Sequence, residues 1–353
     1  MVGGPLLDDF LGKSRSLLHS PEIVRCIEPT LLDKLKKSFQ DVFDYQDKLY
    51  RTRQFLGIDV NNLETLFSIL DMEWQTARMG LQPVPFLQSS YSYEQLTNIR
   101  ESLFSLIVAT LKMLVSDVNE DFNKLILKLV ASDHSAIITF NYDLSIERAF
   151  GSHFSCYYGY SEKDPEDLET NVRRLFKLHG SVNWTYCPDC HNMKTHLNYV
   201  SPLQLAGINL PTHHSEECKQ KNKILNVILP PTWYKYNYLD SITRIWRRSI
   251  RELSTATHVV VIGYSFPRTD VFFDQLLTLG LRENQNLKRI IIINPSKSIQ
   301  PILEIFFDTH FRRRSVSFFQ TGIEKLNNAT QRPVDYEEQI EDIIALLSPF
   351  RVL

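Results

Sequence analysis

Four short clusters carry side chains able to do chemistry. His179 stands in Lys177-Leu-His-Gly-Ser-Val-Asn-Trp184, at the end of an apolar run. An imidazole there is a candidate general base near neutral pH. The glycine that follows, Gly180, permits a tight turn or the close approach of a ligand, and Ser181 adds a hydroxyl. Asn141 and Asp143 stand in Phe140-Asn-Tyr-Asp143, offering an amide and a carboxylate that are costly to bury unless satisfied. Capping of a helix beginning near Leu144 is the competing explanation for both. Gly263, Tyr264, Ser265 and Asp270 lie in Val261-Ile-Gly-Tyr-Ser-Phe-Pro-Arg-Thr-Asp270, a pattern suited to a ribose or phosphate at a helix start. An ordinary turn with Thr269 or Asp270 as the N-cap competes with it. Asn294, held in an extended turn by the proline after it, carries the same ambiguity.

The fourth cluster is Cys187-Pro-Asp-Cys190, with Cys218 further on and His214 four residues before it. The first pair is half of a zinc knuckle, and a Cys-Cys-His-Cys set would complete a closed structural site. His191, His196 and His213 are rivals for the histidine position, and a knuckle that folds without metal is the alternative.

The elements that must position these groups follow from periodicity. Residues 30–130 carry apolar side chains at three- and four-residue spacing, such as Leu35, Phe39 and Val42, or Leu103, Leu106 and Ile107, so they read as core-packed helices broken near the prolines at 83 and 85. After Asp133 the texture changes. Residues 136–140 form a short, β-rich, nearly continuous apolar run of the kind buried in parallel sheets, and 172–178, 257–262 and 289–293 are further strand candidates. Helices are predicted over 144–150, 241–253 and 271–279, with a final amphipathic helix from Val334. Each strand ends in polar or small residues. Alternating strands and helices predict an α/β, Rossmann-like doubly wound parallel sheet, whose ligands sit outside the carboxyl ends of the strands. Asn141, His179, Ser265 and Asn294 would then meet in one cleft. Residues 185–230 show little periodicity and read as a small inserted module.

Composition narrows the class. The chain has 353 residues, with Lys+Arg 39 against Asp+Glu 41 and a net charge of −2, which argues against nucleic-acid binding driven by net charge. Glycine numbers 12, about half the usual share of roughly 7%, and neither common phosphate-loop signature occurs. No apolar run approaches the roughly 18 residues of a spanning helix, and the start carries no export signal, so a cytoplasmic protein without membrane attachment is expected. Five cysteines are too few for a disulfide scaffold.

Taken together, Thr139-Phe-Asn-Tyr-Asp143, Lys177–Trp184, the knuckle at Cys187, Gly263–Asp270 and Ile292–Ser296 resemble sirtuin-like NAD-consuming proteins of prokaryotes, in the branch that degrades NAD in anti-phage defence. The resemblance spans about residues 136–300 and rests on the order and spacing of the segments. It implies NAD as substrate, cleaved to nicotinamide and ADP-ribose. It implies that Asn141 positions a water and the nicotinamide ribose, that Asp143 helps hold the carboxamide, and that His179 is the base. Gly180, Ser181, Gly263, Tyr264, Ser265, Asp270 and Asn294 would contact the dinucleotide. It implies division into residues 1–135 (N-terminal segment and helical insertion), 136–184 with 225–330 (NAD-binding core), 185–224 (zinc-knuckle insertion, Cys187, Cys190, His214 and Cys218) and 331–353 (C-terminal helix). A homo-oligomer and a defence-system protein partner are expected.

Two departures stand out. The family's first strand and its Gly-Ala-Gly-x-Ser loop have no counterpart, and Met1-Val-Gly-Gly-Pro5 looks like the stretch just after that loop. Without it the phosphates lose backbone donors and the sheet a central strand, which leaves an impaired module that binds NAD or ADP-ribose as an alternative. The Phe-Gly-Glu segment of deacylating sirtuins is also absent, with Leu229-Pro-Pro-Thr-Trp233 near its place, which counts against protein deacylation.

Overall fold

The computed structural model describes residues 10–21, 25, 29–53, 59–80, 91–114, 126–127, 129–130, 134–151, 154–161, 171–187, 189–196, 225–229, 240–264, 271–282, 284–293 and 315–319. The predicted C-terminal helix from Val334 lies outside them.

The N-terminal part is helical: α1 (Phe10–Leu17), α2 (Pro29–Arg53), α3 (Leu63–Arg78) and α4 (Tyr93–Leu114). Local chemistry fixes two of the starts. The Asn62 side chain accepts the Thr65 amide, and Ser92 and Gln95 form a reciprocal capping box at the start of α4. The apolar stripes meet in one core, with Leu35, Phe39, Val42, Leu66, Phe67, Leu70, Leu103 and Leu106 buried. Thr110 Oγ1 donates to Ser14 Oγ inside it, tying α4 to α1.

The rest is α/β. Strands β1 (Ala136–Thr139), β2 (Ser155–Tyr157) and β3 (Val172–Lys177) form a parallel sheet in the order β1-β3-β2, with helix α5 (Ser145–Phe150) between β1 and β2. Strands β4 (Gly180–Tyr186), β5 (Met193–Thr195) and β6 (Leu225–Ile228) form an antiparallel sheet, β5-β4-β6. Then come α6 (Asp240–Thr255), β7 (His258–Ile262), α7 (Val271–Leu281), β8 (Arg289–Ile293) and β9 (Ser315–Phe319), the last three strands parallel in the order β7-β8-β9.

Two registers set the site. Thr139 lies opposite Lys177, so the chain leaves β1 and β3 at the same level. Ile262 lies opposite Ile293, which does the same for β7 and β8. Among the described residues the parallel strands of the sequence reading fall in two sheets, β1-β3-β2 and β7-β8-β9, and no described strand pairs with the outer edge of β1 or of β7. Accordingly both edge strands are half-buried, whereas Ile290–Ile293 of β8 is buried throughout. Within residues 185–230, read as a small inserted module, the end of β4, β5 and β6 belong to the antiparallel sheet. Strand β4 runs straight through Trp184 and Thr185.

Helix α6 packs on β3 and α7. Arg174 of β3 pairs with Glu252 of α6 at 2.8 Å. The two helices cross so closely that a Cβ on Gly280 would meet the Leu253 Cβ at 2.5 Å. Asn284 caps the end of α6, donating to the carbonyls of Leu253 at 2.6 Å and Ala256 at 2.8 Å.

Candidate functional site at the strand ends

The loops after β1 and β3 come together because their strands end level. Leu178 N–H donates to the Thr139 carbonyl at 2.9 Å, and Val182 N–H to the Tyr142 carbonyl at 3.0 Å, stitching the two loops together. Between these bonds lie Asn141 and His179. The imidazole of His179 packs between the rings that flank Asn141: Phe140 edge-on at 5.0 Å and Tyr142 tilted at 6.0 Å between centroids. His179 is 7% exposed, so its imidazole is sheltered, whereas Asn141 is exposed. The Trp246 indole of α6 donates to the Leu178 carbonyl at 3.1 Å and fixes the strand end from behind.

Asp143 is buried, and one carboxylate oxygen accepts the Ser145 amide at 2.8 Å at the start of α5. The N-cap position itself is Leu144, without a side-chain cap bond, so Asp143 forms an Asx turn leading into the helix. Gly180 adopts φ +83°, and a Cβ there would fall 2.1 Å from the Val227 carbonyl oxygen. Glycine is thus required where β4 meets β6. Ser181 is buried with Oγ 3.4 Å from the Tyr142 carbonyl.

Gly263 also needs its freedom, at φ +68°, and among the described residues nothing lies within 4 Å of where its Cβ would stand. Its amide donates to the Ile293 carbonyl at 2.9 Å. The Tyr264 ring lies 4.1 Å from Phe273 and 5.4 Å from Phe140. The end of β7 therefore reaches the same aromatic cluster that holds His179. Ser265, Asp270 and Asn294 lie outside the described residues.

One group was not singled out by the sequence reading. Lys177 is buried at the end of β3 and pairs with Glu147 of α5 at 3.0 Å. Removing one partner of such a pair costs roughly 3–5 kcal/mol. Little in the sequence signalled Lys177, since a lysine at a strand end is ordinarily solvated. The Glu147 carboxylate is felt nearby. Burial, with that charge added, pushes the Cys156 thiol up to about 12 and raises the Tyr158 phenol above its ordinary range.

At the knuckle, Cys187 and Cys190 flank the turn between β4 and β5, closed by the Cys187 amide donating to the Asn192 carbonyl at 3.0 Å. Neither is in a disulfide, and Cys187 is buried, so the two thiols fit half of a zinc site. Of the rival histidines, His191 and His196 each turn one ring nitrogen to a hydroxyl, of Tyr186 and Thr185 respectively, and His213 lies outside the described residues. His214 and Cys218 lie outside the described residues, and among the described residues no group of three or more His, Cys, Asp or Glu could hold a metal.

Parallel strands that deliver an amide and an imidazole together at their carboxyl ends define a Rossmann-type α/β protein. The model of the SIR2-like domain family matches residues 135–315, just over half of the chain, and the chain belongs to that family. Among solved structures it is similar to a Sir2 homologue in complex with NAD, at 17% identity over 74% of this chain and 90% of that one, with a TM-score of 0.39. It is also similar to mutant Sir2 homologues in complex with ADP ribose, one at 16% identity over 74% and 92% of the two chains with a TM-score of 0.38, another at 15% over 77% and 99% with 0.40. No curated protein matches the chain. Among the described residues, no helix is long and apolar enough to cross a membrane.

Proposed function

We propose that this SIR2-like protein binds NAD at the carboxyl ends of β1, β3 and β7 and hydrolyses its nicotinamide glycosidic bond, releasing nicotinamide and ADP-ribose in anti-phage defence. The observation that carries this reading is the packing of His179 between Phe140 and Tyr142, the two neighbours of Asn141.

The chemistry follows from those groups. As the bond from ribose C1′ to the nicotinamide nitrogen lengthens, its electron pair leaves with the nicotinamide, and C1′ takes on cationic character. A water held by Asn141 then bonds to C1′ and gives its proton to His179, which later passes it to solvent. Asp143 holds the carboxamide. Gly180 and Ser181, both buried, shape the crevice floor, and Gly263, Tyr264, Ser265, Asp270 and Asn294 contact the rest of the dinucleotide. The work is placement and water control, with no covalent intermediate required of the protein.

Zinc held by Cys187, Cys190, His214 and Cys218 would close the hairpin turn structurally and take no part in the reaction. We assign the protein to the cytoplasm as a homo-oligomer with a defence-system partner, residues 136–184 and 225–330 forming its NAD-binding core.

Incubation with NAD, with nicotinamide release followed by chromatography, tests the activity. Release by wild type, reduced at least about 100-fold in His179→Ala, is expected. No release by wild type, or equal release by the variant, overturns the proposal. Tight NAD binding with the nicotinamide bond intact would make the protein a binding module instead, and turnover only with an acetylated peptide would make it a deacylase.

A further inference from the structure

Lys177 does more than fill the end of β3. Its Nζ donates to the Asp143 carbonyl, lies 3.0 Å from Glu147 Oε1 and 3.4 Å from the Tyr142 carbonyl. The three hydrogens of one ammonium thus face two consecutive carbonyls of the Asn141–Asp143 loop and one carboxylate. Glu147 stands in the first turn of α5, where the helix amides favour a negative charge, and Tyr158 Oη donates to the same oxygen at 3.3 Å. Lys177 also lies two residues before His179. One short segment therefore carries the imidazole and grips the loop that carries the amide.

We infer that Lys177, anchored by Glu147, is a positioning residue that holds Asn141 in place beside His179; its catalytic consequence rests on the NAD-cleaving reading above. An apolar residue would satisfy the packing at this point but would leave the two carbonyls ungripped.

The test compares wild type, Lys177→Met, and the double variant Lys177→Met with Glu147→Leu, which leaves no orphaned carboxylate. Thermal melting, kcat and KM for NAD, and amide hydrogen exchange over residues 140–146 are measured on each. The double variant is expected to regain most of the stability that the single variant loses. Its kcat should stay at least about tenfold below wild type, with KM within about threefold and loop exchange at least about tenfold faster. Wild-type kcat and wild-type loop exchange in the double variant would overturn the inference and make the pair purely structural. Where wild type releases no nicotinamide, the NAD reading falls and loop exchange alone decides this one. Should the double variant not fold, Glu147→Gln decides: faster exchange over 140–146 supports the inference, and unchanged exchange overturns it.

Discussion

The imidazole of His179 stands edge-on to the ring of Phe140, 5.0 Å between centroids, and Phe140 in turn contacts the rings of Trp246, Tyr264 and Phe273. One side chain thus links the ends of β1, β3 and β7 to α6 and α7. Phe140→Leu keeps an apolar group there but removes the flat edge that orients the imidazole. Nicotinamide release should fall about tenfold in a variant that still folds. A wild-type rate would show that the imidazole is placed by other contacts.

Gly180 is the least replaceable backbone position of the site. A methyl group would meet the Val227 carbonyl oxygen, and the backbone sits at φ +83°. Gly180→Ala should cost about 3 kcal/mol or more, from strain added to a forced shift of β6. Urea unfolding measures it, and a loss below about 1 kcal/mol would contradict the packing described.

His258 opens β7 with its titration shifted down, by burial first and then by Lys288 and Arg289. A base whose folded titration point lies below its unfolded one takes up fewer protons when folded. Its contribution is therefore present above the unfolded value of about 6.5 and is lost as pH falls from there through the lower folded one. Melting temperatures measured between about pH 7.5 and 5 should fall less steeply for His258→Gln than for wild type. Parallel curves would show that the imidazole titrates alike in both states.

The thiols at the β4–β5 turn give a metal prediction. Purified protein should carry one zinc per chain, and Cys187→Ser should lose it along with part of the thermal stability. Protein free of metal, with melting unchanged by a chelator, would remove zinc from this fold.

Much of the α/β part could be read from sequence because β1, β7 and β8 are largely apolar, β-branched runs that lead into polar residues, and β3 runs into the His179-Gly180-Ser181 segment. Five other strands escaped, Ser315–Phe319 among them, four of them for plain physical reasons. Ser155–Tyr157 and Met193–Thr195 are three residues long, too short for any periodicity. Leu225–Ile228 borders a stretch with no pattern. Gly180–Tyr186 opens on a glycine with positive φ, so its start reads as a turn. That Asn141 and His179 lie on neighbouring loops was legible because both sit just past a strand end. The grip of Lys177 was not, since a strand-end lysine ordinarily points to water. Its burial depends on a carboxylate thirty residues earlier, and only the register of β1 against β3 reveals that closeness.

The apolar cluster of the helical part extends past it to take in Leu144, Val182 and Ile228, with Tyr142 packed against its edge. These residues border the Asn141–Asp143 loop and the start of β4. The helices and the strand-end loops therefore share one oily wall, and neither half keeps its shape if the other melts. Heating should accordingly report one common transition to Trp74, among the helices, and to Trp246, behind the strand ends. The helical part is then a mechanical support of the reaction centre, and a molecule that pries its helices apart would disarm the chemistry without touching it.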